Sequence, residues 1–190
     1  MNKNSLFRLA GWSAILSAIA TLAGAVTLVI FFSVGDPYGK INDISSIVIA
    51  ATGIVVLVAL HKLHSTISKR LSFAAIIIGV IALLTAGVVQ TIFVLGFIRL
   101  EQTSSAPYAF SVFGVSIATY GCLAWFAKIL PRGLAILGVT AGLGYALVGL
   151  GFVLGGPNHM LTYIGGALSV IAYPVWGFWL GRIWLQNAKG

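Results

Sequence analysis

Two histidines three residues apart, His61 and His64, lie in the stretch VALHKLHSTISKRL (residues 58–71), with Lys62 between them and Lys69 and Arg70 just beyond. On a helix such a pair shares one face, so the imidazoles could hold a metal between them or ligate a haem. Both chemistries ask for more than this stretch supplies. A metal wants a third ligand, and no carboxylate is near in sequence: the three acids are Asp36, Asp43 and Glu101. A haem held by two histidines wants them on facing helices at one depth, and the third histidine, His159, falls at the far end of the molecule in the reading below. The weightier reading is a membrane exit, where the histidines stand beside cations that snorkel into water. Metal or haem binding through His61 and His64 stays open as a third option, and no cofactor is predicted.

The other polar positions at membrane depth are few. Gln90 is the most polar, followed by Thr91, Tyr120, Tyr145 and Tyr173. Pro174 should kink its helix and free a carbonyl, which makes Gln90, Tyr145, Tyr173 and Pro174 the candidate ligand-binding residues. For Gln90 the plainer expectation is an interhelical hydrogen bond. No serine has a histidine and a carboxylate in a shared location, so no hydrolase constellation can be assembled. There is no phosphate-cradling G-x-x-x-x-G-K loop and no charged ring or filter motif for an ion pore. The single cysteine, Cys122, excludes an internal disulfide and is expected to be a buried, inert thiol.

The elements that must position these groups are plain. Of the 190 residues 59% are hydrophobic and 7% charged, against roughly 25% charged in soluble domains. A net charge of +8 scattered through apolar sequence makes no basic stripe, so nucleic acid is not an expected partner. Spanning helices need about 20 mostly apolar residues, and six stretches qualify: 9–33, 44–60, 71–98, 108–127, 133–154 and 161–180. The fold class is therefore all-α, a polytopic membrane bundle forming one domain. The second stretch is short and must borrow from its flanks. The third is long enough to tilt or project.

Charge sets the orientation. With the N-terminus inside, nine cations (Lys3, Arg8, Lys62, Lys69, Arg70, Lys128, Arg132, Arg182, Lys189) face the cytoplasm and two, Lys40 and Arg99, face out, with all three acids outside. That bias over short loops reads as both termini cytoplasmic. Trp12, Trp125, Trp176, Trp179 and Trp184 fall toward the same side, as an interfacial belt would.

Small residues mark where helices approach. In the fifth stretch Gly138, Gly142 and Gly149 share one face and Gly144, Gly151 and Gly155 another, which predicts a helix between two neighbours. The fourth offers Ser111, Gly114, Ala118 and Gly121, and the sixth Gly166, Ser169, Gly177 and Gly181.

The first stretch, RLAGWSAILSAIATLAG, and the last, AYPVWGFWLGRIWL, resemble the ends of small bacterial multi-pass proteins classed as a domain of unknown function. The resemblance implies a bacterial inner-membrane protein and transfers no catalytic residue. The functional expectation is a non-enzymatic membrane component that binds lipid, other membrane subunits or further copies of itself. The alternative is a carrier for a small apolar or weakly polar solute.

Overall fold

The computed structural model describes residues 3–103 and 105–188. Lys189 and the side chains of Lys3 and Glu101 lie outside what is described. Six helices follow one another: α1 (Lys3–Val34), α2 (Tyr38–His64), α3 (Lys69–Val94), α4 (Ser105–Ala127), α5 (Arg132–Gly155) and α6 (Met160–Asn187), with a 3-10 turn at Leu100–Thr103 before α4. All six are long and apolar enough to cross a membrane. In hydrocarbon each backbone N–H and C=O must be satisfied within its own segment, which is why apolar runs of this length become helices.

The boundaries have local causes. The third stretch was expected to run to residue 98, yet α3 ends at Val94. Gly96 takes a left-handed φ of +79°, its N–H bonds the Phe93 carbonyl at 2.9 Å, and the Phe97 N–H bonds the Ile92 carbonyl at 3.0 Å. This is a Schellman stop, with apolar Phe97 in the position that follows the glycine. The second stretch does borrow from its flanks: α2 has 27 residues and runs from Tyr38 to His64. At the other end of the chain α6 continues past residue 180 to Asn187, and runs through Pro174 as one helix.

Each helix packs on its neighbours in sequence, and α6 returns to pack on α1, so the six form a closed ring. Short connections force adjacent helices to run antiparallel, and six of them bring both termini to one end. There the Phe7 and Trp184 rings meet edge to face, 5.6 Å apart. The ring interior is filled by Leu57, Leu60, Leu83, Phe113, Ile117 and Leu180, all buried, while Phe32, Phe97, Phe126 and Ile171 point outward. With no membrane-side hydrophobic driving force between helices, cohesion comes from close packing.

Glycines make that packing possible. On α5, Gly142 lies against Gly114 and Ala118 of α4, and Gly149 against Ser111 of α4. Gly144 lies against Gly165 and Ser169 of α6, and Gly151 against Thr162 of α6. Gly138 is between the two: a Cβ built there would stand 3.0 Å from the Trp176 indole nitrogen and 3.5 Å from the Gly121 Cα. Gly155 meets only His159 of the loop that follows it.

Two expectations about side chains are overturned. Cys122 is exposed on the outer surface of the ring rather than buried. Trp176 and Trp184 are buried in the bundle, which leaves only Trp12, Trp125 and Trp179 exposed as an interfacial belt requires. Helix-end position alone does not say which way an indole faces.

Candidate functional site

The seam between α1 and α6 changes character along its length. Near the termini the two helices touch through small residues: a Cβ on Gly181 would lie 2.7 Å from the Gly11 carbonyl oxygen, and one on Gly177 would lie 2.9 Å from that of Ala14. One step further from the termini, Ser17 Oγ and the Tyr173 hydroxyl are 2.8 Å apart and both buried. Beyond that pair the helices separate. Gly166 lies on the same stripe of α6, two turns on from Tyr173, yet a Cβ built there would find no atom within 4 Å. On α1 the stripe of Gly11, Ala14 and Ala18 continues as Thr21, Ala25 and Leu28, and these residues line a cavity.

That cavity holds about 150 Å³. A space of that size accepts a group about as large as benzene. Five of the six helices line it: Thr21, Gly24, Ala25 and Leu28 from α1; Asn42, Ser45, Ser46 and Ile49 from α2; Phe110, Tyr145, Ser169 and Val170 from α4, α5 and α6. No Asp, Glu, Lys, Arg or His is among them. Below it a chain of aromatic rings follows the bundle axis. Phe110 stacks on Tyr145 at 6.2 Å, Tyr145 meets Tyr173 edge to face at 5.6 Å, and Tyr173 meets Trp176 at 5.7 Å. Phe113 contacts both tyrosines, at 5.9 and 6.0 Å. Of these rings Phe110 and Tyr145 line the cavity, while Phe113, Tyr173 and Trp176 continue from Tyr145 toward the end of the bundle that holds the termini.

The hydroxyls in the lining share one habit. Thr21 donates to the Ser17 carbonyl at 2.9 Å, Ser45 to Ile41 at 2.9 Å, Ser46 to Asn42 at 3.2 Å and Ser169 to Gly166 at 3.0 Å. Such back-bonding satisfies the hydroxyl proton within its own helix and leaves the oxygen lone pairs available.

The candidates from sequence divide accordingly. Tyr145 lines the cavity; Tyr173 is outside the lining, edge to face with Tyr145, and Pro174 is buried beside it on α6. Gln90 is not in the lining; on α3 its Oε1 is buried with no hydrogen-bond partner, so the expected interhelical bond to that oxygen is not made. Ser17, Thr21, Asn42, Ser45, Ser46 and Ser169 were not singled out for binding. The signal available was the continuation of the small-residue stripe of α1 through Thr21.

The histidines turn to different partners. His61 Nδ1 is 2.8 Å from Ser72 Oγ on α3, while His64 Nδ1 is 2.8 Å from the Leu60 carbonyl of its own helix. His64, the last residue of α2, turns into the bundle: it is 0% exposed, with its ring 5.2 Å from Tyr120 and its Nε2 unpartnered. Tyr120 donates to the Ser72 carbonyl at 2.8 Å, which ties α4 to the start of α3. Among the described residues no group of three His, Cys, Asp or Glu side chains is placed to hold a metal. His159 caps α6, its Nδ1 accepting from the Leu161 N–H at 3.2 Å.

No family model, curated protein or solved structure matches this chain.

Proposed function

We propose that this is a non-enzymatic integral membrane protein that binds a membrane lipid in the axial cavity. The observation that carries the reading is an uncharged, partly polar cavity lined by membrane-spanning helices, beside the stretch where α1 and α6 part at Gly166. An uncharged lining suits a ligand that already lives in the bilayer, because it asks neither partner to bury an unpaired charge. The charge split supports an orientation with both termini cytoplasmic, here read in a bacterial inner membrane, in which the cavity faces the outer leaflet.

The carrier reading draws on the same cavity, but transport needs a path past Tyr145, Tyr173, Phe113 and Trp176, where the rings are in contact. The two readings separate in liposomes. Lipid binding predicts that small neutral solutes cross no faster with the protein than without it. Solute flux that a Tyr173→Trp variant abolishes would favour the carrier.

The direct test is thermal unfolding in detergent with added dioleoylglycerol. A ligand that binds only the folded protein at 100 times its Kd stabilises by about 2.7 kcal/mol. Wild type should gain stability, and Ala25→Phe, which fills the cavity, should not. A melting temperature indifferent to lipid in both proteins would remove the proposal.

A further inference from the structure

The proton accounting in the cavity carries the lipid-binding reading further and rests on it. Thr21, Ser45, Ser46 and Ser169 each commit their single proton to a carbonyl of their own helix. What they turn outward is lone pairs. Tyr145 and Thr21 line the same cavity, and the Thr21 proton is already given to Ser17, so toward the phenol Thr21 turns lone pairs. The Asn42 Oδ1 approaches Gly24, and both residues line the cavity. Pro174 has no N–H to offer the carbonyl of Val170, a lining residue four positions earlier. The lining thus offers more acceptors than donors and carries no charge. Such a wall suits a neutral ligand that brings protons, and disfavours phosphate or carboxylate, whose charge would be buried without a cation.

The space, about 150 Å³, suits a group of about six heavy atoms. That is a small headgroup and leaves no room for an acyl chain. The chain has an exit, since α1 and α6 part beyond the Ser17–Tyr173 pair, Gly166 faces open space and Leu28 is 40% exposed. We infer that the cavity takes the uncharged, hydroxyl-bearing headgroup of a membrane amphiphile as a hydrogen-bond donor, with the hydrocarbon leaving through the α1–α6 seam.

Titration by native mass spectrometry of the detergent-solubilised protein tests this with four probes: dioleoylglycerol, the same lipid with its free hydroxyl capped as a methyl ether, dioleoylphosphatidic acid, and glycerol. Dioleoylglycerol should bind about three- to tenfold more tightly than the ether, the range one hydrogen bond supplies. Phosphatidic acid should bind more weakly still. Thr21→Val should bring dioleoylglycerol down to the affinity of the ether and leave the ether unchanged, while Thr21→Ser should restore the difference. Equal binding of dioleoylglycerol and its ether would overturn the donor inference and leave lipid binding standing. Preference for phosphatidic acid would overturn it too. Glycerol binding as tightly as dioleoylglycerol would make the ligand a soluble polyol and remove the seam. If neither neutral lipid binds, this inference and the lipid-binding proposal fall together.

Discussion

Ser17 on α1 and Tyr173 on α6 are 156 positions apart in the chain and 2.8 Å apart in space, and their hydroxyls mark the point where the closed ring of helices begins to open. On the side of the termini, glycine and alanine hold α1 and α6 backbone to backbone. On the other side the same two stripes flank a cavity. One hydrogen bond therefore stands at the junction of the packed seam and the cavity.

That pair should be worth a modest amount, because hydrogen bonds between membrane helices average about 0.6 kcal/mol. Tyr173→Phe and Ser17→Ala are each expected to cost about 0.5–1.5 kcal/mol of unfolding free energy in detergent. The double variant should cost no more than the larger single, since the two groups serve one bond. Additive losses would mean that each hydroxyl has another partner.

Glycine positions should fall into two classes. A Cβ on Gly142 would stand 2.5 Å from the Ala118 nitrogen and closer still to the Gly114 carbonyl oxygen, so even alanine must push backbone apart. Overpacking of this kind costs about 1–3 kcal/mol, against a helix-propensity gain of about 1 kcal/mol. Gly142→Ala should lower thermal stability and Gly142→Leu lower it further. Gly166→Ala meets nothing and should raise it. Equal tolerance at both sites would contradict the observed α4–α5 approach.

These two glycines show what a sequence can and cannot convey. Six long apolar runs bounded by charges are legible, because the bilayer dictates their length. The periodicity of α5 separates Gly142 from Gly144, and in the structure these face α4 and α6. What hydropathy does not encode is where a seam opens. Gly166 and Gly177 look alike in sequence, and only the path of α1 distinguishes a contact from a gap. His64 and Trp176 were hidden for a similar reason: depth along a helix is readable from charge, whereas the direction of one side chain depends on neighbours far away in sequence. The cavity hydroxyls gave a weak signal because single Ser and Thr residues are common in membrane helices and satisfy themselves by back-bonding.

His64 should be a place where the protein gains by losing a polar group. Its Nε2 is buried without a partner, at an expected cost of about 1–3 kcal/mol. His64→Leu removes that atom, and stability should rise by about 1 kcal/mol. A clear loss instead would show that Nε2 has a partner, a bound water or ion being the obvious kind.

Orientation can be checked in sealed cells. With Cys122→Ser as background, single cysteines at Lys69, Lys128 and Asn187 should resist an impermeant thiol reagent added outside, while those at Asp43, Thr103 and Asn158 should react. Labelling at Lys128 without lysis would invert the topology and turn the cavity toward the cytoplasm.

The central claim is that the axial cavity holds lipid, and its most direct measurement is the mass of lipid retained per chain after purification in mild detergent and exhaustive washing. The account predicts one neutral, hydroxyl-bearing lipid per wild-type chain, and none on a folded Ala25→Phe chain of equal thermal stability. A wild-type protein that retains no lipid, or an Ala25→Phe variant that retains the same lipid, would contradict it.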